Sequence, residues 1–340
     1  MKIINCDDPL WNKYLSKIPH EKQDVYYTAE YHKAYELNME GKPQLFVYEH
    51  EGNIGIYPFL LNPVPDSDFD QYYDIQSVYG YSGPLTSTDD SEFCLRFENA
   101  FLDYGKEAKI IAEFVRFHPL LKNQCLFNHN IDVIPERETV VLDIREDLEL
   151  LQKNQFSSNG RRDIRVAERK GLTVAVSKES ADFAEIYSKT MDRLEAREQL
   201  RFGRDYFSVI TDMPSSMFFD VLKDNQVIAS AIIFIYNDFC HYHLSGSDKV
   251  FSSYCPTNLM LWEAIKYAKQ NDCKFFHFGG GRTSNPDDSL LRFKSNYSKE
   301  RAMFYIGKRV HNADVYGALI KKWETRSNKT ATTLLEYRNI

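Results

Sequence analysis

Two stretches of this chain, offset by roughly 160 residues, read as the same run of elements: helix, hairpin, strand, helix, strand. In the first, residues 28–37 read as a helix. Residues 44–50 and 54–61 flank Glu51-Gly52-Asn53 as a hairpin, and 72–78 reads as a strand. A helix ending near Tyr104-Gly105 and a strand over 109–117 complete the run. In the second, a long helix is expected over 180–198. Residues 217–222 and 227–236 flank Lys223-Asp224-Asn225-Gln226, and 239–244 is a strand leading to a loop at Ser245-Gly246-Ser247. Pro256-Thr257 opens a helix to about residue 270, and a strand over 274–278 ends in Gly279-Gly280-Gly281. Such a repeat predicts an α/β (α+β) chain of two similar domains. The expected divisions are 1–145, a linking helix region 146–178, and 179–340. With 43% hydrophobic residues in 340, each half can bury a core.

Charge divides the chain near the same joint. Residues 1–150 hold 13 Lys and Arg against 27 Asp and Glu, whereas 151–340 hold 29 against 22. The acidic half argues against a nucleic-acid surface over the whole protein, and the basic half suits a phosphate-bearing ligand. The six cysteines form no C-x-x-C pair, which reads as free thiols in a reducing compartment. No apolar run is long enough to span a bilayer, and the N-terminus has no signal-peptide core. A cytoplasmic location without a membrane span is therefore expected.

Three groups of residues could carry chemistry. On a helix over 287–297, at about 100° per residue, Lys294 falls among Leu290, Leu291, Phe293 and Tyr297, with Arg292 on the opposite face. A lysine centred on an apolar arc either aims its ammonium into a site or snorkels to water. Asp287 and Asp288 stand where N-caps belong. In the segment 157–170, Arg161, Arg162, Arg165 and Arg169 share one face, a phosphate-binding row or a solvated surface. His241 and His243 alternate along one strand, but no third ligand is evident and no metal is expected. Neither a nucleotide-binding glycine motif nor a hydrolase nucleophile elbow is present.

His277-Phe278-Gly279-Gly280-Gly281, Asp288-Ser289-Leu290 and Arg292-Phe293-Lys294 together resemble the C-terminal signature of the Fem-type aminoacyl/peptidyl transferases, a group within the GNAT-like acyltransferases. The Arg-x-x-Ile-Arg-x-Ala-x-x-x-Gly spacing from Arg161 to Gly171 is similar to that family's linking helix. Thr190-Met191-Asp192-Arg193, Asp24-Val25-Tyr26-Tyr27 and Tyr79-Gly80-Tyr81-Ser82-Gly83-Pro84 extend the resemblance over nearly the whole chain. The resemblance implies two tandem GNAT-like domains, each a mixed, twisted sheet flanked by helices. It implies transfer of an acyl or aminoacyl group to an amine on an amino sugar or a peptide precursor of the cell envelope, such as peptidoglycan. Acyl-CoA is the favoured co-substrate and aminoacyl-tRNA the alternative; no permanently bound cofactor is implied. The family's lysine at the acyl-transfer site corresponds to Lys294, and Tyr297 is the second catalytic candidate. Substrate-binding candidates are Tyr79, Tyr81, Arg116, Arg161, Arg162, Arg165, Arg193, His243, Gly280 and Arg292. The GNAT pyrophosphate loop, Gln/Arg-x-x-Gly-x-Gly/Ala, is missing before Pro256, where the chain reads Lys249-Val250-Phe251-Ser252-Ser253-Tyr254-Cys255. A non-catalytic binding protein on the same scaffold is the competing class.

Overall fold

The computed structural model describes residues 1–127, 129, 131–196 and 201–338. In chain order, the first elements are β1 (Lys2–Asn5), α1 (Leu10–Leu15), α2 (Ala29–Leu37), β2 (Lys42–His50), β3 (Asn53–Pro63) and β4 (Tyr73–Gln76). There follow β5 (Leu85–Thr86), α3 (Ser91–Glu107), β6 (Ile110–Arg116), β7 (Asp132–Asp143), α4 (Leu148–Asn154), α5 (Ser158–Arg169) and β8 (Thr173–Ser177). Next come α6 (Phe183–Arg193), α7 (Arg204–Asp212), β9 (Ser216–Lys223), β10 (Gln226–Tyr236), β11 (Phe239–Ser247) and α8 (Pro256–Gln270). The last are β12 (Phe275–Gly280), α9 (Ser289–Lys294), β13 (Arg301–Val310) and α10 (Ala313–Ser327).

The chain divides into two compact units, Met1–Glu136 with Phe304–Ile340, and Arg137–Met303. It passes from one to the other inside β7 and again inside β13. Residues 304–340, expected in the C-terminal domain, therefore belong to the first unit, and the 146–178 region lies within the second. Each unit is a mixed sheet with one strand order. In the first, β1, β2, β3 and β4 run antiparallel in succession, β4 and β6 pair in parallel, and β13 closes antiparallel on β6. In the second, β8, β9, β10 and β11 are antiparallel, β11 and β12 are parallel, and β7 closes antiparallel on β12.

Local chemistry accounts for the shared pattern. Both long hairpins turn on two residues of positive φ, Glu51-Gly52 (49° and 80°) and Asp224-Asn225 (49° and 64°). That geometry matches the right-handed twist of the flanking strands. Asp90 caps α3 through the Phe93 amide at 2.8 Å. The turn spacing of Phe93, Phe97 and Phe101 then lays three rings against Phe46, Tyr57 and Phe59 in the first core. The second core gathers Leu259, Met260, Leu261, Ala264 and Ile265 of α8 over Phe219, Ile233, Phe276 and Phe278. Three expectations are corrected. Ser245, Gly246 and Ser247 continue β11 instead of forming a loop, and Gly279 and Gly280 belong to β12. The helix expected over 180–198 runs only from Phe183 to Arg193, while positions 197 and 198 lie outside the described residues.

Candidate functional site

The parallel junction of the second unit comes apart. Phe239, Cys240 and His241 of β11 pair with Phe275, Phe276 and His277 of β12. Beyond those residues β11 runs on to Ser247 and β12 to Gly280, without further pairing between them. A β-bulge between His277 and Gly279 bends β12 where the strands part. Tyr242 is the first residue past the pairing on β11, and the glycine run is its counterpart on β12.

Lys294 sits in the mouth of this opening. Asp288 caps α9 by accepting from the amides of Leu290 and Leu291 at 2.9 and 3.0 Å. The helix then points Lys294 back to the sheet, where it is only 7% exposed. Its Nζ donates to the Gly280 carbonyl at 2.8 Å and lies 5.8 Å from the centre of the Tyr242 ring. Gly279 has φ +77°, and a Cβ there would stand 3.2 Å from the Lys294 Nζ. A Cβ on Gly281 would meet the Asp288 carboxylate at 2.6 Å. Burial pushes the Lys294 ammonium down to about 7, opposed by the negative charge of Asp288. An ammonium has three donors. With one on Gly280, two remain for a carbonyl oxygen or an anion entering between the strands.

The remaining candidates are dispersed. Tyr297 is a core residue with no exposed surface, stacked on Phe278 at 5.6 Å and edge-on to Phe156 at 5.4 Å. Burial raises its phenol well above the ordinary value, so the apolar arc was rightly read but serves packing. Arg161 folds back onto the end of α4, donating to the carbonyls of Gln152 (3.2 Å) and Phe156. The outward row on α5 is therefore Arg162, Arg165 and Arg169, with Arg162 paired to Asp163 at 2.9 Å. Arg193 donates to the Ser247 carbonyl at 2.9 Å, the end of β11. His243 shares a 2.7 Å hydrogen bond with the Tyr206 hydroxyl, and burial, then His241, pushes it down to about 3. Arg292 is exposed and paired with Asp287 at 2.8 Å, away from Lys294. Tyr79, Tyr81 and Arg116 belong to the first unit. The Tyr79 carbonyl accepts from Tyr31, Tyr81 packs on Tyr26 and His118, and Arg116 donates to the Ser77 carbonyl at 3.1 Å.

Two contributors were missed in the sequence. Tyr242 looked like one more alternating strand residue. Arg137 donates to the carbonyls of Gly281 (3.1 Å) and Arg282 (3.0 Å), and it stands between Pro135-Glu136 and Glu138, where the sequence shows no strand pattern. As for metals, Cys6, Asp7 and Glu36 bring ligand atoms within 4.8 Å of one another, but the Lys33 ammonium already binds Asp7 and Glu36. No helix among the described residues is long and apolar enough to cross a membrane.

Residues 154–295, which include the opening and Lys294, match the family described as acetyltransferase (GNAT) domain. FemX has a similar fold, with TM-score 0.69 and 16% identity over 94% of this chain and 99% of that one. L-PGS from Bacillus licheniformis gives 0.59 and 16% over 89% and 92%. A conserved protein of unknown function from Bacteroides thetaiotaomicron gives 0.58 and 9% over 90% and 98%. No curated protein matches the chain by sequence. The expected GNAT-like fold is thus the observed one, and the GNAT match lies within the second unit.

Proposed function

We propose that the chain is an N-acyltransferase that moves an acyl or aminoacyl group from an activated donor to an amine on a cell-envelope sugar or peptide precursor. The observation that carries this reading is the Lys294 ammonium, buried at the mouth of the β11–β12 opening with two donors uncommitted. The donor's acyl carbonyl lies in the opening. The amine attacks its carbon, and the oxygen that gains negative charge meets Lys294 and is stabilised there. The tetrahedral intermediate collapses, the donor's thiolate or ribose oxygen leaves, and the proton lost by the amine passes to it or to water. Tyr242, whose own hydroxyl is bonded to Ser245, covers one side of the ammonium.

Acyl-CoA remains the first donor, on the strength of the GNAT match. One observation favours an aminoacyl-tRNA instead. Where a GNAT helix would present free amides to a pyrophosphate, residues 249–254 form a 3-10 turn. The amide of Val250 binds the Asp248 side chain at 2.9 Å, and those of Phe251 and Cys255 bind chain carbonyls at 3.2 and 3.1 Å. Pro256 then contributes no N–H at all. The test is transfer to amino-sugar and peptide-precursor amines from labelled acetyl-CoA and from charged tRNA, for the native chain and Lys294→Met. Transfer by the native chain, lost in the variant, is expected. Undiminished transfer by Lys294→Met would overturn the mechanism, and ribonuclease-resistant transfer with acyl-CoA alone would remove the tRNA reading.

A further inference from the structure

Both ends of the six-residue helix α9 are fastened to neighbouring glycines at the end of β12. At its C-terminal end Lys294 donates to the Gly280 carbonyl at 2.8 Å. At its N-terminal end the Asp288 carboxylate packs so closely on Gly281 that a Cβ would stand 2.6 Å away. The same carboxylate accepts from the amides of Leu290 and Leu291 and from the amide and hydroxyl of Thr283, both at 3.3 Å. One acid therefore joins the glycine run, the loop after it and the start of the helix that carries Lys294.

We infer that Asp288 is a positioning residue for Lys294, holding α9 against β12 and setting a negative charge beside the glycine run that the Lys294 ammonium binds. This rests on the reading of Lys294 given above and extends it to what sets its charge. The surrounding groups support the assignment. From β12 the neighbours are Gly279 and Gly280, which carry no charge. From β11 the neighbour is Tyr242, whose phenol burial pushes up to about 12, so it stays neutral. From β7, Arg137 donates to the carbonyls of Gly281 and Arg282. On α9 itself Arg292 is exposed and paired with Asp287. The Asp288 carboxyl, although partly desolvated, is held below the usual carboxylate range by backbone amides, those of Leu291, Arg282, Leu290 and Thr283. It is thus ionised wherever Lys294 titrates.

Asp288→Asn tests this, because asparagine caps a helix about as well as aspartate and keeps the fold while removing the charge. The readout is independent of transfer activity. Trace acetic anhydride labels each lysine of the full chain in proportion to its uncharged fraction, and peptide mass spectrometry reads Lys294 between pH 5 and 10. Each curve is normalised to its own plateau at high pH. In the native chain the midpoint is expected near neutrality. In Asp288→Asn it should fall, so that Lys294 labels roughly threefold to tenfold faster at pH 6. Asp288→Ser, a second capping residue, should give the same shift. Unchanged midpoints in both variants, with native thermal melts, would falsify the inference while leaving Lys294 free to act in transfer. Loss of transfer in Lys294→Met without a midpoint shift in Asp288→Asn would separate the two failures. Should Asp288→Asn alone melt early, the Asp288→Ser midpoint decides.

Discussion

The two units share a strand order but differ at the parallel junction. In the second unit β11 and β12 pair over three residues and then part, and the gap holds Lys294. In the first, where β4 and β6 are the equivalent strands, β4 is followed by residues 77–84, which are stitched along β6. The Ser77 amide donates to the Phe114 carbonyl at 3.0 Å, and the Ser82 amide to that of Arg116 at 2.7 Å. The Arg116 amide donates back to the Ser77 hydroxyl at 2.9 Å. Asn123 secures the far end of that loop by donating to the carbonyls of Ser82 (2.8 Å) and Pro84 (3.1 Å). On the proposed function, a junction left open presents backbone and a buried lysine to a substrate. A junction sealed by its own loop presents none of this, and its polar groups become structure. The lesson is that two units of one strand order can differ in what fills the parting of their parallel strands, and the proposed function rests on that difference.

The contrast predicts that substitutions in the open junction alter transfer, while those in the first unit alter stability. The largest effect is expected from Lys294→Met, which should lower transfer by about 10²–10³-fold. Its stability should change the other way. The folded protein releases the Lys294 proton near pH 7 and the unfolded chain only near 10.5, so native stability rises between those values. Melts should therefore show Lys294→Met exceeding the native chain most at pH 6 and least near pH 10. An active variant would break the comparison at its strongest point.

Next comes the ionic core of the first unit. Arg309 is 2% exposed and binds Glu113 at 3.1 Å and Glu98. Arg309→Met removes the arginine from two buried carboxylates and should cost about 3–5 kcal/mol in denaturant unfolding. Asn123→Ala leaves the carbonyls of Ser82 and Pro84 without that donor, and about 2–3 kcal/mol of destabilisation is expected. If it instead reduced transfer with stability intact, the sealed junction would have a role in turnover.

The most gradual effect is in acid. Burial holds His32 down to about 4 and His243 to about 3, so both stay neutral in the folded protein while the unfolded chain protonates near 6.5. The unfolded state binds the extra protons, and stability should decline as pH falls below about 6.5 toward those values. Burial disfavours the Glu113 carboxylate, but Arg309 and His311 outweigh it and hold it at about 2. Its contribution is present above about 4.5 and is lost as pH falls toward 2. His32→Gln should flatten the upper part of the acid melt in the first unit and leave the lower part unchanged.

Much of this was legible because it is local. The hairpin turns within Glu51-Gly52-Asn53 and Lys223-Asp224-Asn225-Gln226, the Pro256 start of α8 and the Asp288 cap each follow from a few adjacent residues. Lys294 could be singled out because helical spacing places it among Leu291, Phe293 and Tyr297. What stayed hidden depends on distant partners. β7 carries charged residues at 136–138 in mid-strand, and its second half pairs with β12, more than a hundred residues later. The helical wheel put Arg161 with its neighbours, but a long flexible stem let it turn to the carbonyls ending α4. The wheel also could not tell that Tyr297 packs inward onto Phe278 while Lys294, three residues before, reaches the opening.

The passage of the chain through β7 and β13 sets an order of assembly. The strands β8 to β12 and their closing partner β7 are all synthesised by residue 280, so the second sheet can form as it emerges. The first sheet cannot. Its sixth strand and Arg309, the counter-ion for Glu98 and Glu113, arrive only near the end of translation. Until then β6 is an uncovered edge beside two acids that lack their arginine, a state prone to mispairing and to chaperone capture. The half of the molecule made first is therefore the half finished last.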